Sequence, residues 1–128
     1  MKNELRLVAK EASEKSYSPY SKAKVGSALE TQDGKIYSGC NIENASFGGT
    51  VCAERVAIWK AVSESHKKIN KIYVYTNDGW PPCGICLQVM TEFADGDLEI
   101  TIGDNKGKEI TKKLKDLLTN AFTPKHME

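Results

Sequence analysis

The sequence lacks a charge surplus, a long apolar run and any obvious secretion signal. It has 18 Lys and Arg against 17 Asp and Glu, a formal net charge of +1. The lysines between Lys106 and Lys115 are mixed with acids and leucines, which is typical of a solvated helix face and not of a nucleic-acid surface. No stretch approaches the ~20 apolar residues of a membrane span. We therefore expect neither a nucleic-acid nor a membrane partner.

The first residues, Met1 to Leu7, contain no apolar core of signal-peptide length. We therefore expect a cytoplasmic protein, where cysteines stay reduced and can bind metal. Internal repeats, low-complexity tracts and linkers are also absent. The 40% hydrophobic and 27% charged fractions are those of an ordinary globular protein. A chain of 128 residues is predicted to form one domain, 1–128, around one core.

Hydrophobic periodicity and turn signals predict nine elements in the order α-β-β-α-β-α-β-β-α. The predicted helices cover residues 3–15, 52–65, 83–93 and a short stretch around 114–118. The predicted strands cover residues 25–31, 35–40, 71–76, 98–102 and 108–111. This order predicts an α/β fold, a three-layer α/β/α sandwich with a mixed five-stranded sheet.

The predicted helix over 52–65 is apolar around most of its circumference. Val56, Ile58, Trp59 and Val62 do not fall on one narrow stripe. Such a helix needs cover on several sides. In a domain of this size, a subunit interface would provide that cover.

Three of the four cysteines lie in two short motifs, Cys52-Ala53-Glu54-Arg55 and Pro82-Cys83-Gly84-Ile85-Cys86. A Cys-x-x-Cys alone is weak evidence. A Pro-Cys-x-x-Cys about thirty residues after Cys-Ala-Glu matches the cysteine form of the zinc deaminase signature. If the two predicted helix starts face each other, three sulfurs meet and leave one position of a tetrahedral Zn²⁺ open for water.

Three thiolates around Zn²⁺ carry a net charge of −1, which weakens a Lewis acid. Two helix N-termini and the neighbouring Arg55, as a hydrogen-bond donor to a thiolate, would offset that charge. The alternative is a closed structural site with Cys40 as fourth ligand. We instead expect Cys40 to be a buried strand cysteine and His66 and His126 to make surface contacts.

Glu54 lies two residues after a candidate metal ligand. We predict that it takes a proton from the attacking water and returns it to a ring nitrogen and the leaving amine. The alternative is that a glutamate in a first helical turn only stabilises the helix dipole. A closed four-sulfur site would have no use for this carboxylate beside the metal.

These motifs resemble those of the small, zinc-dependent, homotetrameric cytidine deaminases. The resemblance runs nearly end to end and includes Ser18-Pro19-Tyr20-Ser21, Val25-Gly26, the stretch 39–46, the two cysteine motifs, Gln88-Val89-Met90 and the stretch 117–124. It implies hydrolysis of cytidine and deoxycytidine to uridine and deoxyuridine in pyrimidine salvage, with zinc as cofactor and a nucleoside as substrate.

The resemblance also implies roles for individual residues. Asn41 and Glu43 would bind the ribose 3′-hydroxyl, although a polar loop pair is the simpler explanation without the neighbouring motif. Backbone groups around Ala53, together with Glu54, would contact the pyrimidine edge. Phe122 would reach a neighbouring subunit's site, or else anchor the C-terminus to the core.

Two positions depart from the family pattern. Ala23-Lys24 stands where the family has Phe-Pro, which removes an aromatic ring expected beside the base, and Leu87 stands where the family has Arg. We expect a raised KM for cytidine if nothing replaces that ring. Trp80 either restores a stacking surface or closes the edge of the core, and the sequence leaves both open.

The sequence leaves three functions open. The first is deamination of cytidine and deoxycytidine. The second is deamination of a modified cytosine nucleoside such as blasticidin S, against which the pair Asn41 and Glu43 argues. The third is a structural zinc module that binds a partner. A nucleic-acid deaminase is disfavoured by the charge balance and by a cysteine where those enzymes usually have histidine.

Overall fold

A five-stranded sheet with strand order β2-β1-β3-β4-β5 forms the centre of the computed structural model, which describes residues 2–128. The strands are β1 (Gly26–Thr31), β2 (Ile36–Cys40), β3 (Ile69–Tyr75), β4 (Glu99–Gly103) and β5 (Glu109–Lys113). Only β3 and β4 pair in parallel; the other neighbours are antiparallel. The predicted mixed five-stranded sheet is therefore confirmed.

Four helices cover the two faces of this sheet. They are α1 (Lys2–Ser13), α2 (Ala53–Ser63), α3 (Gly84–Phe93) and α4 (Leu114–Leu117), with short 3-10 turns at Phe47–Gly49 and Pro124–Met127. The predicted element order is confirmed. None of the helices within residues 2–128 combines the length and apolarity needed to cross a bilayer.

Alternate residues of the strands point to the two faces and build two hydrophobic clusters. Leu29 and Ile72 belong to the larger cluster with α2, α3 and α4, whereas Ala28 and Tyr73 belong to the smaller cluster with α1. This alternation follows from the two-residue period of a strand. Both faces of the sheet are covered, as a three-layer sandwich requires.

Some element boundaries differ from those predicted. Strand β3 begins at Ile69, two residues earlier than expected, because Ile69 pairs with Thr31 across an irregularity in β1. Strand β5 runs on to Lys113, which pairs with Glu99 of β4. The partner strands determine these two boundaries. The local sequence does not show where the partner strands lie.

Within this chain, helix α2 is buried along one stripe, and the predicted cover of its other sides would come from a subunit interface. The buried residues are Ala53, Glu54, Ala57, Ile58 and Ala61. Trp59 remains 49% exposed. The positions three and four residues apart face the sheet, so the remaining apolar residues of the helix project away from it.

Two close approaches fix the helices against the sheet. A Cβ at Gly26 would collide with the backbone carbonyl of Ala9 in α1. A Cβ at Gly39 would lie 2.5 Å from the carbonyl oxygen of Ala53 and 2.6 Å from the amide nitrogen of Ala57. The absence of a side chain at Gly39 thus lets the first turn of α2 lie directly on β2.

Candidate active site

The starts of α2 and α3 bring three cysteines together. Cys52 and Cys83 each precede a helix in extended conformation, with φ −76°, ψ 156° and φ −74°, ψ 168°. Their sulfurs lie 3.7 Å apart, and Cys83 Sγ lies 3.6 Å from Cys86 Sγ. All three sulfurs lie within 4.8 Å of one another. The predicted meeting of the two helix N-termini is therefore confirmed.

The protonation chemistry of this cluster suits a metal that binds thiolates. A hydrogen bond from Cys86, followed by one from Arg55, lowers the pKa of the Cys52 thiol to about 5. The same hydrogen bond and burial raise the pKa of the Cys86 thiol. Three thiols held this close favour an anion on one of them, and a soft divalent cation such as zinc stabilises further thiolates.

Arg55 lies directly beside the cluster. Its Nη2 donates a hydrogen bond to Cys52 Sγ over 3.4 Å, as the sequence predicted. Its Nε is buried and has no hydrogen-bond partner among the described residues. A buried N–H that lacks an acceptor is costly. Its place next to three sulfurs fits an anionic cluster, so the residues present fit a zinc–thiolate site.

Glu54 follows Cys52 and Ala53 in the first turn of α2. The residue is buried, with only 3% of its surface exposed. Burial, and secondarily the negative charge of Cys52, raises the pKa of this carboxyl to about 7. A carboxyl with such a pKa can both hold and release a proton near neutral pH, which is the requirement for general acid–base chemistry.

A cavity of about 250 Å³ opens onto this arrangement. Glu54, Cys52 and Cys83 line it, as do three further residues that the sequence singled out: Asn41, Glu43 and Ala53. Ala23 and Trp80, the two positions of uncertain role, line the same cavity. The candidate proton carrier, two of the three clustered cysteines and the candidate sugar-binding residues therefore share one solvent-accessible space.

Asn41 and Glu43 also hold the chain segment Tyr20 to Val25, which the sequence did not indicate. The Asn41 amide accepts from the Val25 N–H and donates to the Ala23 carbonyl, each over 3.0 Å. Glu43 accepts hydrogen bonds from the backbone N–H groups of Tyr20 and Ser21 and from the Ser21 hydroxyl. The Ser21 hydroxyl is the main cause that lowers the pKa of Glu43.

Phe122 lies outside this cavity within its own chain. Its ring is 58% exposed and stacks on His126, with the ring centroids 5.4 Å apart. Its carbonyl accepts a hydrogen bond of 2.7 Å from Gln88 Nε2. The contacts of one chain therefore place the Phe122 ring on the surface and not in the core.

Cys40 is separate from the sulfur cluster. It ends β2 and its Sγ lies 3.5 Å from the Lys15 carbonyl oxygen. It is only half-buried, so the expectation of a buried strand cysteine is wrong: β2 is an edge strand, which leaves its last residue partly open. His66 contacts Asp33 over 2.9 Å at the surface, as expected. The separation of Cys40 from the other three sulfurs argues against a closed four-sulfur site.

Known proteins resemble this chain over most of its length. The family described as the cytidine and deoxycytidylate deaminase zinc-binding region matches residues 1–101. A cytidine deaminase of Halalkalibacterium halodurans is 45% identical over 91% of this chain and 90% of its own length. One of Sporosarcina psychrophila is 42% identical over 92% and 90%, respectively.

A solved structure agrees with these sequence matches. The crystal structure of cytidine deaminase from Burkholderia pseudomallei superposes with a TM-score of 0.92, at 40% identity, over 95% of this chain and 99% of that one. The sequence, the sheet order and the three converging sulfurs thus agree. The chain belongs to the cytidine and deoxycytidylate deaminase family.

Proposed function

We propose that this protein is a zinc-dependent hydrolase that converts cytidine and deoxycytidine to uridine and deoxyuridine and releases ammonia, in pyrimidine salvage. The observation that carries the proposal is the placement of a buried Glu54 and the sulfurs of Cys52 and Cys83 on the wall of one cavity. The relatives named cytidine deaminase, at 42% and 45% identity, support cytidine as the substrate.

Cys52, Cys83 and Cys86 hold the zinc ion in this proposal. When bound, zinc supplies a Lewis acid that makes water nucleophilic near neutral pH. Arg55 stabilises the thiolate of Cys52 through the 3.4 Å contact. A cation beside the sulfurs lowers the cost of collecting three negative charges in one place.

Glu54 carries the protons of the reaction. It takes one proton from the attacking water as the oxygen bonds to C4, and delivers it to ring N3. The second proton of that water goes to the exocyclic amine, the C4–N4 bond breaks, and ammonia leaves while C4 becomes a carbonyl. The pKa of about 7 suits a group that must accept and donate in one cycle.

The remaining residues position the nucleoside. Asn41 and Glu43 bind the ribose 3′-hydroxyl, and the backbone at Ala53 contacts the pyrimidine edge. The side chains of Asn41 and Glu43 line the cavity, and each can form further hydrogen bonds beyond its contacts to the 20–25 segment. A lone sugar hydroxyl can both donate to the carboxylate and accept from the amide.

We further propose a homotetramer in the cytoplasm, with residues 1–128 as one domain. Trp59 on the uncovered side of α2 supplies apolar surface for a subunit contact. Phe122, exposed in its own chain, would complete the site of a neighbouring subunit. Reduced thiols, which the zinc site requires, are stable in the cytoplasm.

The test is an ultraviolet assay of the purified, zinc-loaded protein with cytidine and deoxycytidine, with ammonia measured in parallel. We expect loss of the cytosine absorbance, equimolar ammonia, and no turnover after chelation and removal of zinc. An N4-substituted cytidine serves as a parallel substrate. Turnover of the substituted compound without turnover of cytidine would replace this proposal with the modified-nucleoside alternative.

A further inference from the structure

One side chain of the cavity has no place in the chemistry described above. Among the described residues that line the cavity, Trp80 is the only aromatic. Its side chain is half exposed, at 50%, although it lies only three residues before Cys83. An exposed indole on the wall of a small cavity is a large apolar surface without cover. A planar ligand in the cavity would provide that cover.

The backbone of the loop that carries Trp80 is constrained. The backbone N–H of Trp80 donates a hydrogen bond of 2.7 Å to Oγ1 of Thr76, the buried residue that follows β3. Gly79 has φ +75°, a conformation that glycine adopts without strain. Pro81 and Pro82 follow and fix two further φ angles. The indole is therefore presented from a constrained turn, which reduces the entropy lost when it binds a ligand.

We propose that Trp80 is the base-stacking residue of the substrate site, and that its indole binds the face of the pyrimidine ring. This inference rests on the proposed nucleoside deamination. Ala23, which lines another part of the same cavity, offers only a methyl group. Within its own chain, Trp80 is therefore the aromatic residue of this lining that can contact the base, which chooses between the two roles that the sequence left open for it.

The size and kind of effect follow from stacking energetics. Removing an aromatic that stacks on a base weakens binding roughly 5- to 150-fold. The stacking face of the pyrimidine is present in both the ground state and the transition state. Loss of such uniform binding raises KM and leaves kcat nearly unchanged. A residue that only supported the metal ligand Cys83 would instead change kcat and zinc retention.

The experiment compares Trp80→Ala and Trp80→Phe with the unaltered enzyme, in zinc-loaded form, on cytidine. We expect Trp80→Ala to raise KM roughly 5- to 150-fold at nearly constant kcat. Trp80→Phe should recover part of the loss. Leu7→Ala is the control, since Leu7 is an exposed apolar residue on α1, 61% exposed and outside the cavity. Ala23→Phe should not improve KM.

A second readout does not depend on turnover. Titration with the product uridine should quench the tryptophan fluorescence of the unaltered enzyme. In Trp80→Phe, which retains Trp59, that quenching should be lost while uridine still inhibits competitively. Excitation at the red edge of the tryptophan band avoids absorption by uridine.

Several results would overturn the inference. An unchanged KM in Trp80→Ala, quenching that persists in Trp80→Phe, or a variant that changes only subunit assembly would each assign Trp80 to another role. Failure of the unaltered enzyme to deaminate cytidine would instead refute the proposed function. The two failures are thus distinguishable.

Discussion

Arg55 donates a hydrogen bond to the sulfur of Cys52, the residue that immediately precedes its own helix. The guanidinium carbon also lies 5.9 Å from the centre of the Trp59 ring, one helical turn further on. Arg55 is therefore held between an aromatic face and a thiolate. Its charge is directed at the sulfur cluster and not at solvent.

Replacing Arg55 by Gln should weaken metal retention. The neutral side chain keeps a hydrogen-bond donor but removes the charge that stabilises Cys52 as thiolate. We expect about a 10- to 100-fold loss in zinc affinity, measured as transfer to a chromogenic chelator. Lys60→Gln, which removes an exposed cation from the same helix, should not change that transfer. Equal losses in both variants would point to general electrostatics.

Single replacements of Cys52, Cys83 and Cys86 by Ala should each abolish stoichiometric zinc. Zinc bound only by the folded state stabilises it by about 2.7 kcal/mol when free zinc is about 100 times Kd, and this contribution should be lost. Metal analysis and thermal unfolding provide the measurements. Cys40→Ala is the matched control and should keep its zinc. Zinc loss in that control would instead support the closed site with four sulfur ligands.

Glu54→Gln separates chemistry from folding. The amide has the same shape but cannot accept or carry the proton. We expect full zinc content, a normal fold and a fall in kcat of about 10²- to 10⁴-fold. Near-normal turnover in this variant would mean that Glu54 only stabilises the N-terminus of its helix.

Gly39→Ala should disturb the site through the contact between β2 and the first turn of α2. The added Cβ would meet the backbone of Ala53 and Ala57, so α2 must shift away from β2. Overpacking of this kind costs about 1–3 kcal/mol in the free energy of unfolding. Urea unfolding measures the loss. Gly48→Ala, where a Cβ meets no atom within 4 Å, should leave the free energy unchanged.

Mixed subunits test the shared role of Phe122. Phe122→Ala and Glu54→Gln should each show low activity alone. Coexpressed, they should regain activity, because some sites would combine an intact Glu54 from one subunit with an intact Phe122 from another. Light scattering should report a tetramer in all three samples. A monomeric active enzyme, or no regained activity, contradicts a composite site.

The sequence predicted the element order and the sulfur cluster because both leave local traces. Alternating apolar residues in strands, turn signals and two cysteines three positions apart are readable along the chain. The hydrogen bonds of Asn41 and Glu43 to the 20–25 segment left no such trace, since they join residues up to 23 positions apart. The sequence also does not show which apolar side chains of α2 pack against the sheet of the same chain.

The place of Trp80 was open for a related reason. An indole in a loop before Pro81 is compatible with both a core edge and a ligand surface. The decision depends on which way the turn at Gly79 directs the side chain, and the sequence alone does not determine that direction.

The sulfurs of Cys52 and Cys83 come from positions 31 residues apart, at the starts of two different helices. A metal held by both therefore joins the two ends of a stretch that contains α2 and β3. Because the unfolded chain cannot offer the same preformed site, each tenfold rise in free zinc above Kd should add about 1.4 kcal/mol to stability. The thermal midpoint of this protein should thus report the availability of zinc around it, independently of any substrate.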